Sequence, residues 1–469
     1  MKKNIIIGGG LTGLFSALLL AEKFNLKNII ILESTPLIGG AYRGVNFDEN
    51  HYFDYGPHLY YESSNLEVNK LMLSIMDDKE WLFLEKNDKD IPGIFYQNNL
   101  QEHSHYIDLR KEKKYKKYLS DLFNNFNKNK NKNFVTAEDY FQNKFGKYIT
   151  KSLLKKILLK LWGTNLKKLD PMIAKIVSMD RIIAFDEELM LDLMYTRLIR
   201  NNLAYPNQFN FPSDKRTLSQ RGVYPKKYGF FQVIDALEKR LLVHGIKIYT
   251  SVDIKSFHTQ SNQIQSIKLI LKETSKELII ENINHIHTTI DFLHIANYLK
   301  LKNNQDKDIP KQVVYVFLKV KKKPKMGKLY YFYVYDDKYH TFRVTNYANY
   351  CESAYLNQEY PLCMEIHFNP KHDVSNINFV ELGILELIKM GVIECKKDIT
   401  YSNYKYFQYG FPSFTLKNKK IAFSNRKKIS DRKIINLTLG GISLDKDLFF
   451  LHDILDDSYK TLIERFSNE

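Results

Sequence analysis

The run Gly8-Gly9-Gly10-Leu11-Thr12-Gly13 constrains this chain more than any other feature. It follows the apolar, β-branched segment Asn4 to Ile7, which reads as a buried parallel strand, and it opens a helical stretch from Leu14 to Phe24. In that setting Gly8 permits a tight turn and Gly10 lets the backbone approach a pyrophosphate. Gly13 lets the helix pack closely on the sheet, with Leu11 and Thr12 at the helix N-terminus facing the phosphates. A second strand, Asn28 to Leu32, ends at Glu33, about twenty residues after Gly13, where a ribose-binding acid belongs. An acid there suits an unphosphorylated ribose, which leaves FAD or NAD rather than NADP. The glycines also interrupt the apolar run that reaches Ala21, so it does not read as a secretory signal.

The chain has 469 residues, of which 44% are hydrophobic and 26% charged. These proportions allow more than one core and exclude a single small binding module or wholesale disorder. No stretch of about 18 uncharged apolar residues offers a membrane span. Cys351, Cys363 and Cys395 form no CxxC pair, so neither a disulfide framework nor a metal site is expected and a reducing cytoplasm is the expected location. A net charge of +17 suits phosphate-bearing partners. Most of the excess is Lys scattered among Asn and Ile, with no Arg-rich helix or aromatic-basic repeat, so nucleic acid is not an expected partner.

After Glu33, the segment Ser34-Thr35-Pro36-Leu37-Ile38-Gly39-Gly40 resembles the second flavin motif of the FAD-dependent amine oxidase superfamily, which includes monoamine oxidases, protoporphyrinogen oxidase and UDP-galactopyranose mutase. Leu37 stands where the oxidases carry Arg, and Pro36 to Gly40 is closer to the mutase form. Phe53-Asp54-Tyr55-Gly56-Pro57-His58-Leu59-Tyr60 is similar to the Gly-Pro-His stretch of the mutase, which implies Tyr55, Gly56, Pro57 and His58 as a wall beside the flavin. Ser251-Val252-Asp253-Ile254 resembles the segment whose Val backbone meets the adenine. Leu437-Thr438-Leu439-Gly440-Gly441-Ile442 resembles the closing motif, in which a glycine pair lies against the flavin. The resemblance implies FAD as cofactor and an α/β architecture: a Rossmann-type, GR2-like FAD-binding domain carrying an inserted helical and antiparallel-sheet substrate domain. Cysteine attachment of the flavin is not expected, since all three cysteines precede the closing glycines.

Two further likenesses imply substrate-side residues. Lys160-Leu161-Trp162-Gly163-Thr164 resembles the Trp-Gly element by which a helical substrate domain approaches the flavin. Phe342-Arg343-Val344-Thr345-Asn346 resembles the strand whose Arg pairs with a sugar diphosphate in the mutase. His58, Trp162 and Arg343 are therefore the catalytic candidates, as wall or anchoring groups rather than a triad. From the residues alone, a surface His after a turn, a core Trp and an ion-paired Arg remain the alternatives. The chain also departs from the mutase pattern, with Tyr61 and Ile442 at positions of a second His and an Arg, and with Lys227-Tyr228 in place of a glycine pair.

The expected domains are residues 1–85, 215–305 and 421–469 for the cofactor, 86–214 for the helical insertion and 306–420 for a β-rich substrate unit. Residues 87–133 read as polar, with 111–133 forming a solvated amphipathic helix that ends in a Lys/Asn loop and could also touch a membrane surface. Tyr140 to Leu161 reads as one helix, Ser256 to Ile280 as a small antiparallel sheet, and Lys319 to Lys328 as an exposed basic hairpin. The leading function is an FAD-dependent oxidoreductase that moves hydride from a small molecule, such as an amine, to the flavin. A flavin-dependent sugar-nucleotide isomerase is the second reading and a flavoprotein without turnover the third.

Overall fold

The computed structural model describes residues 2–126, 134–212, 220–302 and 306–467. The chain folds as two units, one of residues 1–83, 219–307 and 419–469 and the other of residues 84–218 and 308–418.

The first unit is built on five parallel strands: β1 (Lys3–Ile7), β2 (Ile29–Leu32), β3 (Lys247–Tyr249), β4 (Ile283–Thr288) and β5 (Leu437–Leu439), in the order β3-β2-β1-β4-β5. Helix α1 (Leu11–Glu22) is apolar on nearly every side, with Leu14, Phe15, Ala17 and Leu18 fully buried, so it must be enclosed. It lies against β1 and β2 and is flanked by α2 (Phe231–Val243) and α3 (Leu451–Phe466). Strand alternation sends Ile6 towards α1, where its Cγ2 comes within contact of Gly13, and Ile5 and Ile7 to the opposite face. There they join Ile30, Leu32, Phe257, Ile267, Leu269 and Ile295, which come from β2, from a three-stranded antiparallel sheet (Val252–Gln260, Gln263–Leu271, Lys276–Glu281) and from the helix Phe292–Tyr298. Each such Ile or Leu contributes roughly 1.5–3 kcal/mol by leaving water, so this double-sided core fixes the sheet beneath the glycine turn.

One polar cluster sits inside that core. His287 on β4 pairs with Thr438 on β5, whose Oγ1 lies 2.9 Å from His287 Nδ1 and 2.8 Å from His285 Nε2. Burial pushes His287 down to about 4, and burial, then His287 and Arg465, pushes His285 down to about 3, so both imidazoles are neutral.

The second unit carries a seven-stranded sheet in the order 399–411, 311–320, 360–368, 341–346, 331–334, 92–96, 99–101. Neighbours are antiparallel except 331–334 with 92–96. Helix Phe379–Lys389 packs on the strands 311–320 and 399–411. The hairpin Pro92–Tyr96 and Asn99–Gln101 falls in a stretch that reads as merely polar, although Ile94 and Phe95 are fully buried. The amphipathic helix is present as Tyr115–Phe126, while residues 127–133, the place of the expected Lys/Asn loop, lie outside the described residues.

Two expectations need correction. Residues 140–161 are not one helix: Ala137–Phe145 ends at Gly146, whose φ of +104° no helical residue shares, and the chain resumes through a π-helical turn at Thr150–Leu154 into Lys155–Trp162. Nor is 319–328 an exposed hairpin. The strand Lys311–Val320 pairs with 360–368 and 399–411 rather than with 331–334, and the intervening loop is tied down by fully buried Met326 and by ion pairs from Lys322 and Lys325 to Glu394.

Candidate functional site

The C-terminal ends of β1, β2 and β4 surround a cavity of ≈ 490 Å³ lined by Gly8, Glu33, Ser34, Val252, Lys272 and His294, among others. Ligands of parallel α/β sheets bind in such a crevice. The glycine turn at its edge is fixed by sterics. A Cβ on Gly13 would fall 1.9 Å from the Gly8 carbonyl oxygen, a backbone atom that cannot step aside. Gly10, by contrast, faces open space, with nothing within 4 Å of where its Cβ would be.

Gly39 and Gly40 are brought to the same place. Gly39 N–H donates to the Gly9 carbonyl at 2.7 Å, Gly10 and Gly39 form a parallel bridge, and Gly40 sits at φ +57° with its Cβ position 3.4 Å from Gly10 Cα. The two glycine motifs thus make one side-chain-free cradle at the positive end of α1. Glu33 closes it. Its Oε2 accepts from Gly9 N–H at 2.7 Å, and its Oε1 accepts from Thr35 N–H at 2.8 Å and Thr35 Oγ1 at 2.7 Å. A carboxylate has about four acceptor positions, so Oε2 retains capacity for a hydroxyl in the cavity.

Val252 is tied to the same acid: its N–H donates to the Glu33 carbonyl at 2.8 Å, and Glu33 N–H donates to the Tyr249 carbonyl. Lys272 Nζ donates to the Ser34 carbonyl at 2.7 Å, which places at the cavity wall a cation that sequence reasoning missed. Gly440 and Gly441 continue from β5, with Gly440 N–H on the Thr288 carbonyl at 2.7 Å and Gly441 at φ +87° packed on the Thr289 backbone. Ile442 follows with half its surface exposed.

Tyr55-Gly56-Pro57-His58 follows Asp54, whose backbone carbonyl accepts from Gly56 N–H at 3.0 Å and whose fully buried carboxylate accepts from the hydroxyls of Tyr52 and Tyr224 and from Phe230 N–H at 3.1 Å. Burial raises its carboxyl to about 6, against the lowering by those three donors. Gly56 takes φ +85°, and the His58 ring packs 4.7 Å from Tyr42, which in turn lies 4.9 Å from Phe230. Asp54 and Tyr42 are the residues that sequence reasoning passed over, because their partners Tyr224 and Phe230 lie far along the chain.

Trp162 and Arg343 belong to the second unit, so they are described within it. Trp162 is buried between Phe411 (5.8 Å) and Phe414 (5.5 Å). The Arg343 guanidinium donates from Nε to Glu365 Oε1 at 2.5 Å and lies over the rings of Tyr331 and Tyr333 at 5.6 and 5.7 Å. Its charge is already balanced by a buried carboxylate.

Residues 6–74 match the NAD(P)-binding Rossmann-like domain family. Among solved structures, a reduced UDP-galactopyranose mutase aligns over 100% of this chain and 96% of its own at 15% identity, with a TM-score of 0.72. The chain shares the fold of that mutase. A putative protoporphyrinogen oxidase from Exiguobacterium sp. 255-15 aligns over 100% and 99% of the two chains at 14% identity with a TM-score of 0.68. A putrescine oxidase redesigned in its cofactor binding aligns over 100% and 98% at 8% identity with a TM-score of 0.58. No curated protein matches the sequence significantly.

Proposed function

We propose that this protein is an FAD-dependent oxidoreductase of the amine oxidase and protoporphyrinogen oxidase type, acting on a small molecule in the cytoplasm without a nucleic-acid partner. The observation that carries the proposal is the side-chain-free cradle of Gly10, Gly39 and Gly40 beside Glu33, an acid that together with Gly8 also lines the cavity of ≈ 490 Å³. A pyrophosphate would be held where Gly10 leaves open space, ribose hydroxyls would use the remaining capacity of Glu33 Oε2, and the Val252 backbone would meet the adenine. When bound, FAD supplies the acceptor for a hydride from substrate carbon.

This chain's own residues bind and orient. Asp54 fixes Gly56 to His58, and Tyr42 holds the His58 ring, which makes His58 the group we assign to hydrogen bonding beside the flavin. Trp162 is assigned as an apolar anchor on the substrate side. Among the described residues no helix is long and apolar enough to cross a membrane, in keeping with a small-molecule enzyme.

A mutase-like isomerisation of a sugar nucleotide is the second reading, supported by the fold shared with UDP-galactopyranose mutase. Tyr61, Ile442 and the Arg343–Glu365 pair count against it. The visible spectrum of the purified protein tests the shared premise: a stoichiometric yellow flavin is expected, and a colourless protein that takes up no FAD refutes it. Anaerobic bleaching by an amine followed by recolouring in oxygen establishes the oxidase. Conversion of UDP-galactose only after dithionite reduction replaces it with the isomerase, and neither reaction favours a flavoprotein without turnover.

A further inference from the structure

The second unit contains a cavity of ≈ 200 Å³ that none of the cofactor residues line. Its walls come from the end of the helix Lys155–Trp162, the first residue of the strand Lys311–Val320 and the segment His367 to His372. Two ammonium groups meet there. Lys160 Nζ donates to the carbonyls of Val334 and Thr341, both at 2.5 Å, and Lys311 Nζ donates to the carbonyl of Leu161 at 2.7 Å. Lys311 is 8% exposed, and neither lysine makes a salt bridge among the described residues.

Three acids act on Lys160 without forming a salt bridge to it. Glu386 accepts from the backbone of His340 and Thr341 and from Thr341 Oγ1, Asp336 accepts from the amides of Gln97 and Asn98, and Asp337 pairs with Lys156 at 3.3 Å. His367, 8% exposed and stacked 4.2 Å from Phe342, forms part of the wall with both ring nitrogens buried and without a hydrogen-bond partner. Asp337, whose carboxylate is paired with Lys156, and His340, His372 and Tyr339 complete the titratable groups of the wall. Gly163 makes room for the arrangement: at φ +70°, its Cβ would sit 2.2 Å from Asn369 Oδ1 and 3.4 Å from the Lys311 stem. Two ammonium groups turned inward with no salt-bridge partner among the described residues are costly, and a doubly charged anion is a partner that offsets the cost.

We infer that this cavity binds a phosphate group, free or at the end of a small phosphomonoester, between the Lys160 and Lys311 ammoniums. The space is that of about seven waters at ~30 Å³ each, enough for a tetrahedral dianion. Lysines bind phosphate as point charges, and two of them match its two negative charges. Without such a partner, burial first and then the charge of Lys311 push Lys160 down to about 7, and burial pushes Lys311 down to about 8. The same two lysines, after burial, hold His367 neutral. The inference stands apart from the flavin reading, since every wall residue belongs to the second unit.

The test is titration of the full chain with inorganic phosphate, and in parallel with glycerol 3-phosphate, by calorimetry at about pH 8 in two buffers of different ionisation heat, with and without added FAD. Expected are one saturable site indifferent to FAD and uptake of about one proton per phosphate as the lysines regain their charge. A tighter fit for glycerol 3-phosphate identifies a phosphomonoester, and a tighter fit for inorganic phosphate identifies the free anion. Lys160→Met and Lys311→Met, each verified as folded by circular dichroism, are expected to weaken binding at least tenfold. If either fails to fold, phosphate must protect Lys160 and Lys311 of the natural chain from reductive methylation. No saturable binding, displacement of phosphate by FAD, undiminished binding in both folded variants or absence of protection overturns the inference.

Discussion

Replacing His287 by Asn isolates the acid sensitivity built into the cofactor unit. Burial sets His287 at about 4 in the fold, against ~6.5 for an exposed imidazole. A base whose folded value is depressed binds its proton more readily when unfolded, so its contribution to stability is whole above about pH 6.5 and is lost as pH falls towards 4. The full shift of about 2.5 units corresponds to roughly 3.4 kcal/mol, and between about pH 8 and pH 4.5 some 2.5 kcal/mol of it is lost. Asn places an amide near Nδ1, where it can still reach Thr438 Oγ1, yet has no proton to gain. The variant is expected to be weaker at neutral pH by a constant ~1–3 kcal/mol for the vacated volume, but to lose about 2.5 kcal/mol less on acidification. Urea unfolding followed by circular dichroism at a series of pH values measures both quantities. Parallel curves for the natural chain and the variant would refute the reasoning, because another residue would then carry the proton.

Other substitutions read other parts of the structure. Gly13→Ala drives a Cβ into the Gly8 carbonyl, and purified protein is expected to lack flavin or not to accumulate, checked by the flavin-to-protein absorbance ratio. Glu33→Ala removes the proposed ribose acceptor together with the brace on Gly9, and a rise in the FAD dissociation constant of about ten- to a hundredfold is expected by fluorescence titration. Asp54→Asn is expected to cost about 2–4 kcal/mol, since three donors lose a buried carboxylate. Its pH effect runs opposite to that of His287: a carboxyl raised to about 6 adds stability below its ordinary value near 3.8 and loses it as pH rises through 6, a slope that should vanish in the variant.

The cofactor unit is legible in the sequence where its chemistry is local. Gly8 to Gly13 and Glu33 declare a strand, a turn and a helix within about thirty residues, each through a residue type that no other would replace. Legibility fails where a residue takes its meaning from a distant partner. Asp54 reads as a loop acid until Tyr224 arrives from 170 positions away, and Lys160 and Lys311 read as solvated surface charge until the fold turns both inward. The hairpin of Pro92–Tyr96 and Asn99–Gln101 is hidden for a related reason. Its turn residues Gln97 and Asn98, both at positive φ, give the stretch its polar character, while the burial of Ile94 and Phe95 depends on the strand Tyr331–Val334 beside them.

The interleaving of the two units has a consequence for how the protein is made. The second unit is complete once residue 418 has emerged, whereas the first still lacks its closing segment. Until then α1 has no α3 against it, Phe24 lacks Phe466, and β4 presents an open edge where β5 will pair. Helix α1 thus emerges well before the segment that seals it, and the glycine turn cannot be supported on all sides before α3 has emerged. A nascent chain in that state exposes apolar helix and strand edge together, the condition that recruits chaperones, so release of residues 419–469 sets the moment at which a cofactor could first be retained.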